Sequence, residues 1–391
     1  MIKKQLLIVT LLALSLSVMA KRYVVMVSLD GFRWDYCQWY DTPFLDRMAA
    51  EGVESGLIPS FPSKTFPNHY TIATGLTPDH HGIIGNSFLE RSTGVAFKLS
   101  STDPHFWGGE PLWVTAKKQG IKNAIFYWPG SEIKIQGMYP DLYHIYNDPA
   151  RLSLEQRVHG MLDQLRKPES ERPQLIMSYM NEPDQSGHDY GPQSKHTRAA
   201  VEKVDSLLNV LYDGIQALPY ASEVDFIVLS DHGMALVTPE QQIRVSDYLK
   251  SEWIRAIKGD MPANIYANEQ YPGAIDSIYN AIKDVPHLRV WKKTETNELG
   301  YGSNINCGDV IASPDMGWIF CDDSVYVGGM HGYDPAFLDM QAVFRAVGPD
   351  FKHVKRPHFR NVNVYPLVCR LLGMKPAEND GNIDEIMDIL K

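Results

Sequence analysis

The chain has 391 residues, 44% of them hydrophobic, with 37 Lys and Arg against 47 Asp and Glu for a formal net charge of −10. That is an ordinary globular composition, which excludes extended disorder, collagen and low-complexity scaffolds. Four cysteines in so long a chain exclude a disulfide-framed miniprotein, and the acidic balance does not suit duplex nucleic acid, whose binders must neutralise phosphates.

In chain order, the first twenty residues read as a secretory leader. Lys3 and Lys4 open it, Leu6 to Leu16 is almost wholly apolar, and Val18-Met19-Ala20 is a small-residue exit. The apolar run is short of the ~20 residues that span a bilayer. No later segment reaches that length, and no cysteine follows before Cys37 to carry a lipid. Export with cleavage near Ala20 is predicted, to a periplasm or the cell exterior. Losing Lys3 and Lys4 takes the net charge from −10 to −12. A single catalytic domain is expected over residues 21–391.

Residues 23–30, Tyr-Val-Val-Met-Val-Ser-Leu-Asp, are apolar on both faces, as in a buried parallel strand that stops at Asp30-Gly31. The stretch Ser60 to His69 places Thr65 ahead of a predicted helix with Pro67 in its first turn. The Thr65 oxygen then sits where a helix favours negative charge, although an N-cap role alone also accounts for it. Asn86, in Gly85-Asn86-Ser87, offers an amide donor. Ala124 to Trp128 and Leu175 to Met180 read as further strands. The second leads into Pro183, Asp184 and His188, where Asp184 and His188 stand at i and i+4 and share one face of a helix that Pro183 opens. Val201, Val204, Leu208, Leu211, Ile215 and Leu218 form the apolar stripe of an amphipathic helix. The strand Phe226 to Ser230 ends in Asp231-His232-Gly233. Residues 235–320 are mixed and read as inserted or peripheral structure. Within them Cys307 and Cys321 are the preferred disulfide pair, leaving Cys37 and Cys369. His331 lies among glycines that suggest close backbone approach, and Val343 to Val347 is the last strand.

Strands alternating with helices predict an α/β fold, with a mostly parallel central sheet and helices on both faces. Its ligand site lies beyond the carboxyl ends of the strands. Taken singly, the polar groups there have plain structural explanations: an Asp-Gly turn, a solvated turn, a loop histidine. Together Asp30, Asp184, Asp231, His188, His232 and His331 are a mixed oxygen and nitrogen set suited to zinc and too rich in histidine for calcium or magnesium. Six ligands exceed one tetrahedral ion and suit two. Two ions ~3.5–4 Å apart clamp the attacking and leaving oxygens of a phosphoryl displacement. The nucleophile is then a hydroxyl, for which Thr65 is the candidate, or a water. Asn86 is placed to donate to a phosphate oxygen.

These blocks, Ser-Leu-Asp-Gly, Lys-Thr-Phe-Pro-Asn-His, Gly-Asn-Ser, Trp-Pro-Gly-Ser, Glu-Pro-Asp-Gln-Ser-Gly-His, Ser-Asp-His-Gly-Met and His-Gly-Tyr-Asp, occur in that order from Tyr23 onward. Their combination resembles the nucleotide pyrophosphatase/phosphodiesterases of the alkaline phosphatase superfamily. The resemblance implies an alkaline-phosphatase-like fold, with one zinc on Asp30, Thr65, Asp231 and His232 and a second on Asp184, His188 and His331. It also implies attack by Thr65 through a phosphothreonyl intermediate, with Asn86 steadying the phosphate. Phe66 and Tyr146 match the positions whose rings sandwich a nucleobase. The surroundings of Tyr146 depart from the family's usual Tyr-Asn-Gly-Ser, and Tyr143 is the alternative. The expected substrate is a small nucleotide. Phosphodiesters of choline or lysophospholipids and phosphomonoesters are the enzymatic alternatives, and a nucleotide- or zinc-binding protein without turnover is the other class. A sulfatase fits less well, because Lys64 stands where its signature requires arginine.

Overall fold

The computed structural model describes residues 21–321 and 325–391, the Asn297 side chain excepted; the expected leader lies outside them. Seven strands of the main sheet are, in chain order, β1 (Tyr23–Leu29), β2 (Val53–Ile58), β3 (Asn123–Phe126), β4 (Leu142–His144), β5 (Leu175–Met180), β6 (Val224–Leu229) and β7 (Ala342–Val347). Two short edge strands, β8 (Val354–Lys355) and β9 (Phe359–Arg360), both pair with β2. In space the order is β8-β2-β7-β6-β1-β5-β3-β4.

The centre is parallel: β1 runs with β5 and β6, and β3 with β4 and β5. β7 departs from the expected direction and is antiparallel to both β6 and β2. A strand buried on both faces carries the same apolar run either way, so its composition does not encode its direction.

Alternate residues of β1 feed two cores. Val24 and Met26 pack with the helices Thr65–Thr74, Leu112–Lys118 and Val364–Leu371. Tyr23, Val25, Val27 and Leu29 pack with Pro43–Glu51, Leu154–Leu165 and Lys195–Gln216. The stripe from Val201 to Ile215 is buried there, each fully covered leucine contributing about 1.5–3 kcal/mol. Helices therefore cover both faces of the sheet.

Part of the mixed region forms a separate four-stranded antiparallel sheet, Ile254–Lys258, Ala263–Ala267, Val310–Pro314 and Leu288–Lys292 in spatial order. The helix Ala274–Ile282 packs on it, and the layer has its own small core. The expected Cys307–Cys321 bridge is not formed. Cys307 is a buried thiol whose Sγ lies 3.6 Å from Asp79 Oδ1, whereas Cys321 follows a different pair of strands, its N–H bonded to the Ile243 carbonyl. Cys37 and Cys369 are thiols as well.

Candidate active site

The register of the central strands sets the site. Leu29 lies opposite Met180 and Ser28 opposite Leu229, so β1, β5 and β6 stop at one edge and deliver Asp30, the 181–188 segment and Asp231-His232 together. The Asp184 N–H bonds the Asp30 carbonyl at 3.0 Å. Between them Gly31 has φ +66°, and a Cβ there would come within 2.9 Å of the Asp184 side chain. Only glycine satisfies both demands. The helix Asp184–Tyr190 then puts His188 Nε2 3.4 Å from Asp184 Oδ2, one turn on.

The six expected ligand side chains converge. Asp30, Asp231 and His232 bring ligand atoms within 4.8 Å of one another, and so do Asp184, His232 and His331. His188 Nε2 is 3.1 Å from His331 Nε2, and the His232 and His331 rings stack at 3.6 Å. Each histidine is oriented from behind. Nδ1 of His188 donates to the Gly329 carbonyl (2.8 Å), that of His232 to Gly233 (2.9 Å) and that of His331 to Ser63 (2.9 Å). These bonds orient each ring so that its Nε2 faces the site.

The carboxylates are prepared in the same way. The Gly31 N–H and the Ser230 hydroxyl hold Asp231 Oδ1, and the Tyr179 hydroxyl holds Asp30 Oδ2 at 2.6 Å. Asp30 Oδ1, Asp184 Oδ1 and Asp231 Oδ2 are buried without a hydrogen-bond partner. Burial, reinforced by Asp184 and Asp231, drives the Asp30 carboxyl well above its usual range. Asp231 goes the other way: burial opposes ionisation, but His232 and His69 outweigh it. Burial and the neighbouring His232, Lys64 and His188 keep His331 neutral. Orphaned carboxylate oxygens gathered with imidazole nitrogens are unfavourable by themselves and fit divalent cations. The oxygen and nitrogen donors suit zinc, and their number suits two ions.

Thr65 is the first residue of the helix Thr65–Thr74, all ten of whose residues are buried. Its Oγ1 lies 3.2 Å from His232 Nε2. Asn86 Oδ1 accepts the Phe66 N–H at 3.0 Å, which occupies the amide oxygen and leaves the NH₂ as the end available to a substrate.

Phe66 and Tyr146 are adjacent but closed. Their rings meet edge to face, with centroids 5.0 Å apart at 87°, and Phe66 is buried against Trp107. A base held between them needs parallel faces one ring's thickness apart, so the expected sandwich requires the Tyr146 ring to turn away from Phe66. Tyr143 is exposed and stacks on Tyr139 instead.

Three contributors escape the sequence reading. His69, four residues after Thr65, is fully buried, with Nδ1 2.9 Å from the Thr65 carbonyl and 3.3 Å from Asp231 Oδ2, and Nε2 2.8 Å from Ser28 Oγ. Its i, i+4 spacing from Thr65 was the available signal. Tyr179 links Asp30 to Tyr146, whose hydroxyl is 3.4 Å away. Lys64 Nζ meets Asp260 Oδ1 at 2.9 Å.

Residues 24–334 match the family model described as type I phosphodiesterase / nucleotide pyrophosphatase. The chain belongs to that family. Among its phosphodiesterase relatives, ectonucleotide pyrophosphatase/phosphodiesterase family member 3 from Bos taurus is 34% identical over 385 residues, covering 94% of this chain and 44% of that protein. A venom phosphodiesterase from Macrovipera lebetinus is 34% identical over 387 residues, covering 94% of this chain and 45% of the other. The chain thus spans less than half the length of these curated relatives. Murine ectonucleotide pyrophosphatase/phosphodiesterase 5, solved as an inactive threonine-to-alanine variant in complex with AMP, superposes with a TM-score of 0.89 at 31% identity, covering 95% of this chain and all of that one. Among the described residues of this phosphodiesterase-family chain, no helix is long and apolar enough to cross a membrane.

Proposed function

We propose that this chain is an exported, zinc-dependent phosphodiesterase/pyrophosphatase acting as a single catalytic domain over residues 21–391. It hydrolyses phosphodiester or pyrophosphate bonds of nucleotides and releases nucleoside 5′-monophosphate through a phosphothreonine on Thr65. The observation that carries this reading is the convergence of three carboxylates and three imidazole Nε2 atoms around the Thr65 hydroxyl. The murine neighbour bound to AMP supports a nucleotide as substrate.

Asp30, Asp231, His232 and Thr65 would hold one zinc, and Asp184, His188 and His331 the other. When bound, such a pair supplies Lewis acidity at the phosphate and makes a threonine alkoxide accessible near neutral pH. Thr65 Oγ attacks the phosphorus in line, and the leaving group departs with the bridging oxygen. Water then cleaves the phosphothreonine and restores the hydroxyl. The Asn86 amide, oriented by the Phe66 N–H, donates to a non-bridging oxygen. His69 Nδ1 bonds the Thr65 carbonyl, so His69 positions the nucleophile without touching substrate.

The purified protein is expected to release nitrophenol from the nitrophenyl ester of thymidine 5′-monophosphate. Nucleotide binding without release would favour a binding protein, and preference for choline, lysophospholipid or monoester substrates would favour those readings. Phe66→Ala is expected to raise the Michaelis constant for the nucleotide ester about tenfold, since stacking a base on an aromatic ring is worth roughly 1–3 kcal/mol. An aryl phosphonate ester lacking a base is expected to be little affected. Equal losses on both substrates would remove Phe66 from base recognition.

A further inference from the structure

The geometry points to Asp260 as the residue that sets this site for diesters over monoesters, by occupying the ammonium of Lys64. The inference rests on the phosphodiesterase reading above and concerns the cavity that Lys64 shares with Asn86.

Lys64 directly precedes Thr65 and is buried. Its stem runs under the loop that carries His331: a Cβ on Gly332 would meet Lys64 Cε at 2.6 Å. Lys64, Asn86, Ser87 and Asp260 line one cavity of about 240 Å³, and among the described residues lining it Lys64 is the one cation. The positive charge therefore shares a cavity with the amide that faces phosphate. It is not free. Asp260 Oδ1 lies 2.9 Å from Nζ and also accepts the Met261 N–H at 2.9 Å, which fixes the carboxylate on its own loop.

The charge on the substrate makes this pairing matter. A phosphodiester carries one negative charge on two terminal oxygens. A monoester near neutral pH carries almost two, on three oxygens. The additional charge needs another donor, and Lys64 is the cation that lines this cavity. While Asp260 holds it, the pocket offers the third oxygen a neutralised ammonium and a carboxylate of like sign. The side chain of Asp260 is 57% exposed against 7% for Lys64, so the acid can be changed without emptying a packed interior.

The test compares kcat/KM for the nitrophenyl ester of thymidine 5′-monophosphate and for nitrophenyl phosphate. Asp260→Asn is expected to raise the monoester value about tenfold, the effect of one freed charge-assisted hydrogen bond, while the diester value stays within about threefold. Asp260→Glu, which keeps the charge, should retain the wild-type ratio. Lys64→Met in the Asp260→Asn background should remove the gain. An unchanged ratio in Asp260→Asn with diester turnover intact would overturn the inference, as would a gain that survives loss of Lys64. Asp260→Ser gives the same comparison if the asparagine variant fails to fold. Wild-type protein that cleaves neither ester would instead refute the phosphodiesterase reading.

Discussion

Thr65→Ala is expected to lower kcat for nucleotide esters by more than about 10⁴-fold, the scale seen when a covalent nucleophile is removed, while the metal content stays unchanged. The hydroxyl is the alcohol nucleophile placed among the candidate ligands, its Oγ1 3.2 Å from His232 Nε2. The three carboxylates and three imidazoles around it keep their own supports when it is removed. Nδ1 of each histidine remains bonded to a backbone carbonyl, and Asp231 remains held by Gly31 and Ser230. Thr65→Ser retains an oxygen on the same backbone and should recover a large part of the rate. Stopped-flow release of nitrophenol alongside elemental analysis checks both halves. Retained turnover in the alanine variant would transfer the nucleophile's role to a water.

The second large effect is metal removal. A chelator is expected to reduce turnover at least about 100-fold, with zinc restoring it, and to lower the midpoint of thermal unfolding by at least about 3 °C. The reason lies in the electrostatics. Asp30, Asp184 and Asp231 each turn an unpartnered oxygen into a buried site, and Asp30 is already driven toward its neutral form by burial and by the other two carboxylates. Cations that bind the folded chain and not the unfolded one stabilise it by mass action. Indifference of both rate and unfolding to chelation would contradict a metal-dependent site.

The sequence carried the site better than it carried the surroundings. Asp30 and Asp231-His232 were legible because each stands where an apolar strand stops, and Asp184 and His188 because their spacing matches one helical turn. The direction of Ala342–Val347 was not legible, since burial on both faces gives one apolar pattern for either sense. The strand Val53–Ile58, with glutamate, serine and glycine inside it, shows no clear alternation, and its place comes from pairing with β7. The Lys64–Asp260 pair joins residues far apart in sequence through a loop without periodicity, and nothing local announces it. Cysteine proximity along the chain misled for the same reason: Cys307 and Cys321 belong to different local layers. The closed contact of Phe66 with Tyr146 depends on where the loop after β4 returns, which no motif encodes.

The most direct measurement is the metal stoichiometry of the purified, undialysed protein by inductively coupled plasma mass spectrometry, repeated on Asp184→Ala and Asp231→Ala. Two zinc ions per chain in the wild type, with each variant losing about one, is the predicted result. A wild-type chain carrying no transition metal, or a stoichiometry that neither substitution changes, would contradict the assignment of these side chains as a two-ion centre.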